Sequence, residues 1–398
     1  MVERRDLPAL FMGGMATFAG IGIARLVYTP LFPVLVRNAW FSDSLAVYLR
    51  AANLLGYLIG ALSARFLSSC ITPRWLLALC FSTIALSFFF CMQPSSFVWF
   101  FIWRLLAGIS GALLMVVGPA TALLAIPSRR RTRVGSYLFM GIGFGVILSS
   151  VVVPLIMQLS LSAVWLTLGV LSVLAGVVCD RNLMAISPAR TFESHASNSV
   201  VGMKGDVRFA VFFVILAYAL DAVGFIPHTM FWVDYLVREE GLSIHAASMQ
   251  WTVFGVGAVC GPLIIGRFSQ RLGWHSALCL AFIIKALAIA IPILSVSFVC
   301  RTLSSFLVGA MVPGIVALTS VRIAELVVAA SYKRLWGYAT AFFAIAQALA
   351  GYMMSALYEV WGSYYLLFYI GGLALSAGAA LIFFSGYLAD RKTSPSYR

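Results

Sequence analysis

Long apolar runs, each bounded by charged residues, prolines or glycines, dominate the hydrophobic pattern of the chain. Each run approaches or exceeds the roughly 20 apolar residues that a membrane-crossing helix needs. Helices are expected because a backbone in lipid must satisfy its own hydrogen bonds. The pattern predicts twelve crossings, at residues 8–35, 45–68, 75–92, 97–126, 134–158, 162–180, 209–236, 246–269, 274–295, 297–327, 336–358 and 362–388.

A polar stretch divides these crossings into two sets of six. The fold class expected is therefore an all-α membrane protein with a six-helix bundle at 1–180, a cytoplasmic linker at 181–208 and a second six-helix bundle at 209–398. The first apolar run is too long for a signal peptide, and no small-residue cleavage site follows it. We therefore expect it to be the first crossing.

The composition also indicates a membrane protein. Of 398 residues, 62% are hydrophobic and only 10% are charged, whereas about a quarter of the residues in soluble proteins are charged. The formal net charge of +14 comes from Lys and Arg concentrated in every second loop. By the positive-inside rule, that asymmetry places both termini in the cytoplasm and the protein in the inner membrane. The charge therefore indicates contact with lipid headgroups rather than nucleic acid.

The two halves of the chain resemble each other. The fourth run contains an Arg, a Gly-Ala pair and a Gly-Pro pair, and the tenth run has Arg301, a Gly-Ala pair and a Pro-Gly pair. The fifth run opens RVGSY and the eleventh opens RLWGY. Parallel six-helix repeats of this kind are a known transporter plan in which the binding site lies between the halves.

Three motifs make the chain resemble the major facilitator superfamily (MFS). Gly60-x-Leu62-x-x-Arg65 is similar to the family's inner-loop motif, and a second copy ends at Arg267. Arg104-x-x-x-Gly108-x-x-Gly111 is similar to the motif of the fourth crossing. The stretches GIGIARLVYTPLFP and NLLGYLIGAL are similar to the YbfB/YjiJ-type bacterial group of that superfamily. The resemblance implies a monomeric transporter whose first and seventh crossings line a central cavity.

The inner-loop motif departs from the family in lacking its usual Asp. In the family that carboxylate helps to latch a closed state, so the latch must differ here. Arg65 and Arg267 are expected to take part in gating on the cytoplasmic side. Arg322 and Glu325, three residues apart, are predicted to form a local ion pair at the same gate.

Charges deep inside two matching crossings are the candidate chemistry. Arg25 is alone in the first run and shares a helical face with Tyr28 and Thr29. In the seventh run an acid, Asp221, shares a face with the residues Tyr218, Phe225, His228 and Trp232. Charges at this depth are costly and normally face a partner or water.

We hypothesise that Arg25 and Asp221 both face the cavity. Arg25, with Tyr28, Thr29, Tyr218, Phe225 and Trp232 around it, would bind the solute. Asp221 would take up and release a proton, helped by His228 and Arg104. The alternatives are a static Arg25–Asp221 bridge, an amphipathic His228 at the membrane boundary, an Arg104 bonded to carbonyls, and a Trp232 that anchors the interface.

Further polar residues have plainer interpretations. Lys285 is expected to pair with a neighbouring helix or to snorkel, and Asn53 and Gln347 are expected mainly to join helices, with the cavity as the alternative. The seven Cys lack metal-ligand spacing, so neither a metal nor a disulfide is expected. No cofactor is expected either.

Secondary active transport is the function this pattern favours. No GxxxxGK[ST] motif for ATP is present, so ATP is not expected to drive transport directly. Proton coupling is expected because Asp221 is a carboxylate deep in a crossing, and a small organic anion or amphipathic solute is expected because Arg25 would complement it. Efflux of hydrophobic compounds or drugs is the alternative. A membrane enzyme is disfavoured because paired carboxylates, HExxH and GxSxG are absent from the runs. A sensor or scaffold that transports nothing is the alternative of another class.

Overall fold

Helices form wherever the sequence is apolar for long enough. The computed structural model describes residues 3–186, 205–295, 297–327 and 329–390, and every regular element in those ranges is helical. The α-helices are α1 (Leu7–Thr17), α2 (Tyr28–Arg37), α3 (Asp43–Cys70), α4 (Pro73–Phe90), α5 (Phe97–Leu124), α6 (Ser128–Ile156), α7 (Leu161–Ala185), α8 (Gly205–Gly224), α9 (Trp232–Arg238), α10 (Ile244–Leu272), α11 (Trp274–Leu294), α12 (Phe298–Leu326), α13 (Ala329–Trp361) and α14 (Tyr364–Asp390).

Eleven helical segments of the described chain are long and apolar enough to cross a membrane. Two of them combine shorter helices, because α1 with α2 spans Arg4–Arg37 and α8 with α9 spans Val207–Arg238. The predicted crossing at 45–68 corresponds to α3, whose apolar stretch is the shorter Ala51–Ala64. The chain is thus a multi-span helical membrane protein, and a count of twelve crossings stays a prediction.

The first crossing is broken by a π-helical turn at Phe18–Ile23. Pro30 has no N–H to donate to the carbonyl of Leu26, which instead accepts a bond from Thr29 N at 3.1 Å. The carbonyl of Arg25 likewise accepts from Tyr28 N at 3.3 Å. A matching π-helical turn at Pro227–Phe231 breaks the seventh crossing. These irregular turns expose carbonyl groups close to the candidate residues.

We call the end of the helices where α1 begins the near side, and the end where α2 and α9 finish the far side. In the first half, α3 packs on α5, α4 on α5 and α7, and α1 on α5, α6 and α7. In the second half, α8 packs on α13 and α14, α10 on α12, and α11 on α12 and α14. Between the halves, α6 packs on α10 and α3 on α13.

The same close packing of glycine against a carbonyl occurs at corresponding positions of the two halves. A Cβ added to Gly108 of α5 would meet the carbonyl oxygen of Asn53 in α3. In the second half a Cβ on Gly309 of α12 would meet the carbonyl of Phe254 in α10. Only glycine allows these backbones to approach so closely. This register places Ser305, not Arg301, at the position that Arg104 occupies in the first half.

Candidate functional site

Arg25 lies between the halves, at the irregular junction before α2. The residue as a whole is partly exposed, whereas every other residue between 19 and 35 is buried. Its Nη1 donates a hydrogen bond of 2.7 Å to Oε1 of Gln347 in α13. The rings of Tyr57 and Phe225 lie 5.5 Å and 6.0 Å from Cζ. Nη2 has no partner among the described residues, so the guanidinium has a donor available for a ligand.

Asp221 does not pair with Arg25. Lys285 of α11 donates a hydrogen bond of 2.6 Å to Oδ1 of Asp221, and the two side chains are 0% and 1% exposed. The static Arg25–Asp221 bridge considered above is therefore contradicted. The prediction of a partner for Lys285 on a neighbouring helix is confirmed, and snorkelling is excluded by its burial. The ring of Phe225 lies between Arg25 and the Asp221–Lys285 pair, since its centroid is 6.0 Å from Arg25 Cζ and 4.7 Å from Lys285 Nζ.

Phe225 belongs to a cluster of aromatic rings in the second half. Tyr218 stacks on Phe343 with centroids 4.5 Å apart and on Trp336 at 5.8 Å. Phe225 stacks on the same Phe343 at 5.9 Å. Two of the predicted solute contacts, Tyr218 and Phe225, thus belong to one aromatic cluster. The flat apolar faces of that cluster suit the carbon skeleton of an amphipathic solute.

His228 and Trp232 lie within the packing of the second half. His228 is fully buried and stacks on Trp232 with centroids 4.4 Å apart. Its Nε2 is 2.8 Å from Ser304 Oγ, which itself donates to a backbone carbonyl, so Nε2 carries the proton. Trp232 Nε1 donates to Ser305 Oγ at 3.0 Å. Both side chains are thus packed inside the protein, and their roles in solute or proton binding stay predictions.

Arg104 is buried within the first half. Its Cζ lies 3.9 Å from the ring centroid of Tyr28, and the side chain is 1% exposed. Asn53 Nδ2 donates a bond of 3.1 Å to the carbonyl of Arg104, which confirms the prediction that Asn53 joins helices. Gln347 also joins helices, but its partner is Arg25, a residue of the other half.

Contacts between the halves continue from this level to the far side. Thr29 Oγ1 donates a bond of 2.5 Å to the carbonyl of Thr229, which the second π-helical turn leaves accessible. Nearer the far end, Arg238 lies 5.7 Å from the ring centroid of Phe32. Tyr48 donates a bond of 2.8 Å to Glu359. The far ends of the two halves are thus held together by polar and cation–π contacts.

Sequence reasoning missed the structural role of Asp234. This acid is buried, accepts a hydrogen bond of 2.6 Å from Tyr364 and pairs with Arg238 at 2.9 Å. It fixes the arginine that faces Phe32 of the first half. The i, i+4 spacing of Asp234 and Arg238 was a readable signal.

The predicted gate residues are only partly described. The ion pair of Arg322 with Glu325 is confirmed, with Nη1 and Oε2 separated by 3.1 Å. Arg267 is exposed. The side chain of Arg65 lies outside what the structure describes. Gating by these residues stays a prediction.

Comparison with known proteins gives the family. A family model described as "Uncharacterised MFS-type transporter YbfB" matches residues 17–383. An uncharacterized protein of Archaeoglobus fulgidus is 29% identical over 129 residues, which is 31% of this chain and 59% of that relative. The family match covers nearly all the residues described above, including both π-helical turns. The chain belongs to the major facilitator superfamily, in the family of YbfB-type transporters.

Proposed function

We propose that this transporter moves a small organic solute with an anionic or strongly polar group across the inner membrane, and that Arg25 binds that group. The observation that carries the proposal is the guanidinium of Arg25. It lies between the halves, bonds to a neutral amide rather than an acid, and has Nη2 unpartnered among the described residues. Arginine stays charged and presents parallel donors, which suits a carboxylate.

Alternating access is the mode of transport that we propose. Described contacts between the halves include those of Thr29 and Tyr48 on the far side of Arg25, and they correspond to a far-side-closed conformation. Opening that side would require these contacts to break as the halves rock. The bundles proposed to rock are 1–180 and 209–398, joined by 181–208, part of which lies outside the described ranges. The repeated Gly108 and Gly309 packing supports two equivalent bundles.

Proton coupling through Asp221 completes the proposal. A proton bound to the carboxylate of Asp221 would cancel its attraction for Lys285 and leave a lysine cation beside Phe225. That extra positive charge would strengthen the attraction of the site for an anion. Solute and proton would then bind together and leave together, as symport requires. His228 and Arg104 are proposed as accessory groups for the proton.

The surroundings that we propose are the inner membrane with both termini cytoplasmic, lipid headgroups along the basic loops, and a monomer. Arg65, Arg267, Arg322 and Glu325 are proposed to gate the cytoplasmic side. Efflux of hydrophobic compounds is a second candidate, favoured by the aromatic cluster at Tyr218.

Transport by proteoliposomes tests the proposal. Purified protein, reconstituted in a defined orientation, is offered a panel of labelled monocarboxylates, their neutral amides and hydrophobic cations, with and without an imposed proton gradient. We expect a carboxylate to accumulate with the gradient. Arg25→Gln should lower its uptake about ten- to a hundredfold, since a hydrogen bond to a charged group contributes about 1.5–3 kcal/mol. Arg25→Lys should restore part of it.

Arg208→Gln is the matched control, because Arg208 is an exposed arginine at the beginning of α8. It should transport like the unaltered protein. Uptake of the carboxylate that is equal with and without Arg25 would contradict the proposal. Movement of hydrophobic cations alone would favour efflux, and movement of no solute would favour the sensor or scaffold.

A further inference from the structure

A small cavity adjoins Arg25 at the level where the two halves touch. Its volume is about 20 Å³, room for about one water-sized group. Both halves contribute to its wall, which consists of Arg25, Tyr28, Thr29, Asn53, Leu54, Arg104, Thr229 and Met230. The cavity is therefore part of the interface that alternating access must open and close.

The described residues that line this cavity include two cations and no acid. Nη2 of Arg25 and both Nε and Nη1 of Arg104 are buried and have no hydrogen-bond partner among the described residues. The nearby acid Asp221 is bonded to Lys285. Buried charges are costly unless they are paired and hydrogen-bonded. Two guanidinium groups that line one cavity, with no counter-charge from the described part of the chain, make a site for an anion.

Neutral groups hold both arginines in place. The ring of Tyr28 lies against the Arg104 guanidinium, at 3.9 Å from centroid to Cζ. The amide of Asn53 donates to the carbonyl of Arg104 at 3.1 Å and lies 3.5 Å from the carbonyl of Ala24, the residue before Arg25. The Asn53 side chain thus holds the backbone at Arg104 and at the residue before Arg25. Because none of these partners is charged, the full positive charge remains available to a ligand.

We propose that this cavity binds one singly charged, water-sized anionic group, with Arg25 and Arg104 as its ligands. The group is either the carboxylate of the transported solute, which rests on the function proposed above, or a free halide ion. Because Thr229 and Met230 of the second half close the cavity, an anion held there bridges the halves. Binding therefore stabilises the far-side-closed conformation.

Thermal unfolding of the purified full-length protein in detergent tests this site without any transport. Sodium formate and sodium bromide are each titrated at constant ionic strength against sodium lactobionate, whose anion is too bulky for the cavity. We expect formate, bromide or both to raise the unfolding midpoint by about 2 °C or more, saturably. A rise with formate alone identifies the carboxylate as the ligand, and a rise with bromide identifies the halide.

Arg104→Gln and Arg25→Gln should each weaken anion binding at least about tenfold. Arg104→Lys, which keeps the charge, serves if the Gln variant does not fold, and it should weaken binding less. Arg301→Gln is the control, because Arg301 lies outside the cavity wall, and it should bind like the unaltered protein. Midpoints that respond equally to all three salts, or equally in the Arg104 and Arg301 variants, would overturn the proposal. Binding without transport would refute the proposed function alone, and transport without binding would refute this site alone.

Discussion

Removing one member of the buried Asp221–Lys285 pair should destabilise the protein far more than removing both. The two side chains are almost fully buried and joined by a bond of 2.6 Å. Asp221→Asn leaves a lysine cation without its counter-charge, and Lys285→Met leaves a carboxylate. Each single variant should lose about 3–5 kcal/mol of stability, whereas the double variant should lose less than either because no unpaired charge remains. The coupling free energy should therefore reach about 3 kcal/mol or more.

Unfolding by sodium dodecyl sulfate in mixed micelles, followed by tryptophan fluorescence, measures all four proteins. The control is the same cycle on Arg74 and Asp180, an exposed pair joined at 2.7 Å, whose coupling should be close to zero because exposed ion pairs are screened. Additive losses at Asp221 and Lys285 would refute the reasoning, because they would mean that neither charge depends on the other. The double variant should also transport its solute, but an imposed proton gradient should not drive accumulation of that solute.

Two further comparisons test the packing. Gly108→Ala should destabilise by about 1–3 kcal/mol, because the added Cβ meets the Asn53 carbonyl. Gly372→Ala, where nothing lies within 4 Å, should be neutral or stabilise by up to about 1 kcal/mol, and equal unfolding midpoints for the two variants would contradict the close helix packing. Tyr364→Phe should destabilise by about 1.5–3 kcal/mol, because it removes a hydrogen bond to a buried carboxylate. The exposed Tyr369→Phe should show no loss in the same unfolding assay, and equal effects of the two changes would contradict that role.

The apolar runs predicted the helices well because a lipid-embedded backbone has few alternatives. The irregular junctions could be anticipated only in part. Pro30 lacks the N–H of a regular helix, which is a local signal for a bend, but the π-helical turns depend on packing between helices that no local pattern records. The break in the seventh crossing places the carbonyl of Thr229 where Thr29 can reach it. That contact joins residues 200 positions apart, so neighbouring residues in the sequence could not reveal it.

The sequence left open which cation pairs with Asp221. Arg25 and Asp221 occupy matching crossings, which suggested a contact, but Asp221 pairs with Lys285. The signal was present, because a lysine and an acid each lay deep in the second half and deep charges of opposite sign usually pair. Choosing between two candidate cations required three-dimensional packing. The choice matters for function, since among the described residues the side chain of Arg25 bonds to a neutral amide and to no acid.

Access of water and solute to position 25 tests the central claim most directly. Arg25→Cys is placed in a chain whose seven native cysteines are replaced, and the protein is reconstituted in one orientation. A membrane-impermeant thiosulfonate reagent is then applied to each face of the vesicles. Modification from the near side, at a rate that the carboxylate does not change because the variant lacks the guanidinium that binds it, is the outcome expected of a water-accessible position between the halves. A thiol that reacts from neither face, in a variant whose unfolding midpoint shows that it is folded, would contradict it.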